Sequence, residues 1–149
     1  MRTLVILLAL VAPVAVATPA RADVGFGLFL GRPTGVDAKI GLGNRTGLDL
    51  LFGFDNIFRD GRVIYGHVTF LATLFVGRGS SVLVPLRLGI GGALYGNHPN
   101  FGVRAPLELG FRFRGAPVEI YLEIAALLQI VDTPVDLGLQ GGAGFRIYF

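Results

Sequence analysis

Asp136-Leu137-Gly138-Leu139-Gln140-Gly141-Gly142-Ala143-Gly144-Phe145-Arg146-Ile147-Tyr148-Phe149 is the stretch whose reading decides the fold. Every second residue from Leu137 to Phe149 is apolar or small. Between them stand Asp136, Gly138, Gln140, Gly142, Gly144, Arg146 and Tyr148. A period of two predicts a strand with one apolar and one polar face.

The same alternation recurs upstream, in segments bounded by turn residues. Working back to the start, it predicts strands over Val24–Gly31, Val36–Leu42, Leu48–Phe54, Val63–Val76, Ser81–Tyr95, Val103–Phe113 and Val118–Ile130. With the last stretch these make eight. Arg32-Pro33-Thr34-Gly35, Gly43–Gly47, Gly77–Ser80 and Arg114–Pro117 are expected turns. Asp55–Arg62 and Gly96–Gly102 are expected longer loops. An even number of strands returns the chain to the side on which it began.

Alternation does not say which face is inside. Glycine does. The polar parity carries Gly25, Gly27, Gly31, Gly41, Gly53, Gly89, Gly91, Gly110, Gly138, Gly142 and Gly144. A water-facing surface has no reason to shed side chains, and Gly weakens strands. The crowded interior of an eight-stranded barrel does have a reason, because long polar residues must interdigitate there. The other parity holds Gly66, Gly92 and Gly141 and no charge. A charge facing lipid costs roughly 2–4 kcal/mol at the bilayer midplane. The pattern therefore predicts an all-β, eight-stranded antiparallel up-and-down barrel of the transmembrane kind, apolar side outward. Pro85 and Pro106 each remove a ladder donor, so bulges are expected at both.

Composition supports this class. Mean hydropathy is +0.66, yet past residue 22 no run of about 18 apolar residues is free of charges and turns, as a spanning helix would require. Residues 1–22 read as a cleaved signal peptide: Arg2, then an apolar core from Leu4 to Ala17, then Ala20-Arg21-Ala22. The barrel is then residues 23–149, one domain. Loss of Arg2 and Arg21 reduces Lys+Arg from 13 to 11 against 10 acids. No basic patch points to nucleic acid. Cys is absent, which excludes disulfides and lipoprotein attachment.

Gly31-Arg32-Pro33-Thr34-Gly35 followed by Lys39, then Val103–Leu107, Val118–Glu123 and Gly142–Phe149, resemble a family of small bacterial outer-membrane β-barrels. That family is similar in architecture to the OmpA transmembrane domain and OmpX. The resemblance implies the barrel fold, a bacterial outer-membrane location and outer-membrane lipid as surroundings. It also implies that the insertion machinery reads the closing strand through Phe145, Ile147 and Phe149. It implies no activity and names no extracellular partner.

The candidate site is the lumen. Lys39, Arg87, Glu108 and Glu123 are expected near mid-strand as a central network, with Arg87 paired to Glu108. Asp37, Asp49, His67, Arg104, Arg112, Glu119, Asp136 and Arg146 are expected nearer the ends. Charges desolvated in a narrow barrel must pair, so the network is expected to close the lumen rather than conduct. Lipid chemistry would require a Ser, a His and a carboxylate where lipid can reach them. His67 points inward by parity, His98 lies in a loop without a Ser or Thr beside it, and Ser80 and Ser81 sit in a turn. No catalytic, cofactor-binding or metal-ligating set is expected. The resulting expectation is a non-enzymatic structural or surface-contact barrel. Its rivals are a narrow channel, a lipid-modifying enzyme and a soluble periplasmic lipid-binding barrel.

Overall fold

The computed structural model describes residues 23–55, 63–96, 100–130 and 135–149. The expected signal peptide, most of the Asp55–Arg62 loop and His98 lie outside the described residues. Eight strands run in chain order: β1 Val24–Arg32, β2 Thr34–Gly41, β3 Thr46–Asp55, β4 Val63–Arg78, β5 Val82–Tyr95, β6 Asn100–Phe113, β7 Val118–Gln129 and β8 Asp136–Tyr148. Each pairs antiparallel with the next, and β8 returns to β1, from Gly25↔Tyr148 to Arg32↔Gly141. The sheet is a closed barrel without edges. Phe149 lies beyond β8, but its N–H donates to the Val24 carbonyl at 2.9 Å.

The faces follow the parity of the sequence. Large apolar side chains stand outward, with Leu139 78%, Phe52 66% and Ile124 64% exposed, whereas Arg104, Glu108, Glu119 and Arg146 are 0% exposed inside. Such an arrangement inverts that of a water-soluble domain, in which Arg and Glu are almost never fully buried unless paired. The inward glycines make room. A Cβ on Gly110 would stand 3.0 Å from Arg87 Nη1 and 3.3 Å from Glu119 Cδ; on Gly25 it would meet the Tyr148 ring at 2.9 Å.

Two local expectations are corrected. The turn at Arg32–Gly35 is tighter than its four turn-forming residues suggest. Thr34 Oγ1 donates to the Gly31 carbonyl at 2.9 Å and accepts from the Gly31 N–H at 3.1 Å, so strand pairing resumes at Thr34. The bulges expected at Pro85 and Pro106 are not there. The β5–β6 register keeps one offset past both prolines, from Leu83↔Arg112 through Leu86↔Leu109 to Gly91↔Arg104. Proline removes a donor without inserting a residue. A register shift falls instead on β4, between Thr73 and Phe75, opposite Arg87 and Leu86.

Inside, the barrel is layered. Phe29, Leu51, Tyr65, Ala93, Tyr121 and Leu127 form a buried cluster. Phe29 and Tyr121 stack at 5.8 Å between centroids. Most of this layer lies toward the end that carries the β1–β2, β3–β4, β5–β6 and β7–β8 connections. Charged side chains fill the middle and the opposite half.

Candidate functional site

Arg146 is the centre of the lumen. It enters from β8, where Gly142 and Gly144 leave the preceding inward positions without side chains. Its Nε donates to Asp37 Oδ2 at 2.5 Å and its Nη2 to Asp49 Oδ1 at 2.6 Å. Its Nη1 reaches Glu108 Oε2 at 2.8 Å and Glu119 Oε1 at 3.3 Å. The guanidinium also stacks on the Tyr121 ring, 3.7 Å from its centroid, and the Tyr121 hydroxyl donates to Asp37 at 2.7 Å. One cation thus gathers carboxylates from β2, β3, β6 and β7.

Arg87 and Lys39 complete this cluster from β5 and β2. Arg87 faces Glu108 directly in the β5–β6 register. Its Nη1 lies 2.5 Å from Glu108 Oε1, and Nη1 and Nη2 contact Glu119 at 2.9 and 2.8 Å. Lys39 Nζ donates to the same Glu108 oxygen at 3.1 Å. Glu108 therefore receives Lys39, Arg87 and Arg146 together. Tyr148 adds a hydroxyl to Glu119 at 3.1 Å.

Glu123 does not join Lys39, Arg87 and Glu108. It faces Glu108 across the β6–β7 ladder, and like charges directly opposite repel. Each carboxylate turns to its own cation, and Glu123 pairs with Arg104. Arg104 Nε also donates to Gln140 Oε1 at 3.2 Å, which accepts from the Tyr65 hydroxyl at 3.0 Å. Arg104 Nη1 lies 3.5 Å from His67 Nε2, and that nitrogen stands 3.1 Å from Asp49. Through His67 and Asp49 this second cluster reaches the first.

The expected division into mid-strand and end positions is therefore corrected. Asp37, Asp49, Glu119 and Arg146 sit at the heart of the network. Strand tilt in a barrel separates a residue's place along its strand from its depth, and the long Arg146 side chain spans what remains. Asp136 is exposed and outside the network. Arg112 is at the mouth, stacked on Tyr148 at 4.1 Å and paired with Asp23 at 3.0 Å. A cavity of about 110 Å³ opens at this mouth, bordered by Lys39, Arg87 and Arg112. Among the described residues no cluster of His, Cys, Asp and Glu is arranged to hold a metal ion. On the outer face, Phe145, Ile147 and Phe149 are 41%, 39% and 83% exposed, one stripe along the closing strand.

No family model matches the sequence, and no curated protein matches it. Solved structures do match the fold. One is the crystal structure of the outer membrane enzyme PagL, 14% identical, covering 84% of this chain and 97% of that one with a TM-score of 0.51. Another is the Yersinia pestis outer membrane protein Ail in a phospholipid bilayer nanodisc, 15% identical, covering 85% and 100%, with a TM-score of 0.39. The chain has the fold of the small outer-membrane barrels.

The hub itself is what sequence reasoning missed. A signal for it was present: Arg146 is the one charge on the glycine-rich inward face of β8 upstream of Tyr148 and downstream of Gln140. A long cation given that much space is placed to reach across a barrel. Tyr65, Tyr121 and Gln140 carry no such signal: Tyr65 on β4 meets Gln140 on β8, and Tyr121 on β7 meets Asp37 on β2, partners far apart in sequence.

Proposed function

We propose that this chain is an integral protein of the bacterial outer membrane, a structural or surface-contact barrel whose lumen is closed by its own ion pairs. The observation that carries the reading is the opposition of its two faces: a continuous apolar outside and an interior filled by Arg146, Arg87, Arg104 and their carboxylates. An apolar band of this extent is not left open to water in a soluble monomer. A soluble lipid carrier of the same strand period would line its interior with apolar side chains. The likeness in fold to outer-membrane proteins agrees.

Within this reading residues 1–22 direct export and are removed. The Phe145-Ile147-Phe149 stripe is read by the insertion machinery, and outer-membrane lipid surrounds the outer face. In this reading the lumen is closed by Arg146 and Arg87, which bridge carboxylates on other strands, and by Arg104 paired with Glu123. PagL is an enzyme, and the rival to weigh here is the lipid-modifying activity considered from the sequence. His67 argues against it here: it is 5% exposed and held between Asp49 and Arg104 inside the barrel, where a lipid headgroup does not reach.

Membrane fractionation tests the proposal. The mature chain is expected in the outer-membrane fraction, resistant to carbonate extraction and heat-modifiable on gels. Recovery in the soluble periplasm would overturn it. Lipid turnover by the wild-type barrel that His67→Ala abolishes would overturn the non-enzymatic part.

A further inference from the structure

We propose that a groove on the outer face of β2–β5 seats one acyl chain of a membrane lipid, an inference that rests on the membrane reading above. The groove has a volume of about 720 Å³. Phe52, Ile64 and Leu94 stand along it, and Ala38, Gly66 and Gly92 leave its floor low. Gly66 faces Phe52 on β3 and Leu94 on β5, and Gly92 faces Val68 on β4. Two of the few outward glycines thus lie on adjacent strands within one continuous depression.

Strand packing does not account for Gly66. Inward glycines such as Gly91 are forced, because a Cβ there would stand 2.6 Å from the Thr69 Cα. A Cβ on Gly66 would meet nothing nearer than the Leu51 carbonyl oxygen at 3.5 Å, an ordinary contact. Glycine in a strand interior weakens the strand, and a side chain would fit. What glycine preserves at Gly66 is the space above it.

The chemistry of that space selects hydrocarbon. Its outward-facing walls carry no charge and no hydrogen-bonding side chain. It runs from Ile64 and Gly96, at the end bearing the β3–β4 and β5–β6 connections, down to Ala38 and Phe26. This is the direction in which a leaflet's acyl chains lie. A second copy of the barrel fits poorly. A two-fold contact sets the same patch against itself, and a groove facing a groove leaves a void where close packing is required.

The test is native mass spectrometry of the full mature barrel released from bilayers of defined phosphatidylethanolamine, after carbonate resistance and heat-modifiability have been verified. Wild type should retain one lipid. Gly66→Leu, which fills the floor, should lower the lipid-bound fraction at least tenfold. Ala143→Leu, outward on β8 and away from the groove, should retain it. In the same bilayers, cross-relaxation between lipid chain protons and the Gly66 and Gly92 amides should exceed that at the Ala143 amide, which keeps the inference testable if Gly66→Leu does not fold. Equal retention by wild type and Gly66→Leu, no lipid on an integrated wild-type barrel, uniform cross-relaxation, or a retained dimer in place of lipid would each overturn the groove. Failure of the wild type to integrate would overturn the membrane reading itself.

Discussion

Arg146 and Arg104 are both completely buried, and they are held in different ways. Arg146 binds four carboxylates from four strands, with Tyr121 beneath it. Arg104 binds one carboxylate, Glu123 on the adjacent strand, and otherwise meets neutral partners, Gln140 and Thr69, and the His67 ring. The first is a tie across the barrel. The second is a local pair with a polar collar. A buried charge is costly mainly when its partner is removed, so the difference should appear as the number of charges each residue strands when it is lost.

The largest effect is expected at the hub. Arg146→Met leaves Asp37 and Asp49 without their guanidinium and should destabilise the refolded barrel by more than the roughly 3–5 kcal/mol of a single broken buried pair. Urea unfolding in detergent micelles measures it. Arg104→Met strands Glu123 alone, and its loss should fall within or below that range. Equal losses for the two variants would break the distinction between tie and local pair.

A finer test lies at Glu108, which Lys39, Arg87 and Arg146 share. The cycle of Arg87→Ala, Glu108→Ala and the double variant should show a coupling of about 0.5–3 kcal/mol. The double variant should lose less than the sum of the singles. Lys39→Met should cost less than Arg87→Ala, because Glu108 keeps two guanidiniums. Additive single variants would mean that the charges are screened separately by water. The smallest effect on stability is expected outside the network. Deleting Phe149 should change refolding in detergent by less than about 1 kcal/mol, in the range usual for exposed sites. It should sharply reduce assembly in cells, as read by outer-membrane yield. Equal losses in both would make Phe149 a packing residue only.

How much of this was legible in the sequence follows from what each feature depends on. The strands and their faces depend on a period of two, a local property, and so Val24–Arg32 or Val118–Gln129 can be bounded to within a residue by inspection. The direct Arg87↔Glu108 pairing was legible because β5 and β6 are consecutive, and counting from their connection sets the level of each residue. Arg146 was not, because its partners come from β2, β3, β6 and β7. Their depths depend on the tilt and stagger of the closed barrel, which no single strand encodes. Glu123 was misplaced for a related reason: placing it in one network with Lys39, Arg87 and Glu108 ignored that Glu108 sits directly opposite and repels it. The bulge between Thr73 and Phe75 carries no mark in its own composition, since Thr73-Leu74-Phe75 continues an ordinary strand.

The most direct measurement of the central claim is single-channel recording from the refolded wild-type barrel in planar bilayers, with Arg146→Ala beside it. An interior closed by bridging ion pairs predicts a silent wild type, and irregular openings once the hub is removed. Regular, reproducible conductance steps from the wild type, unchanged in Arg146→Ala, would show that ions pass a lumen these side chains do not close.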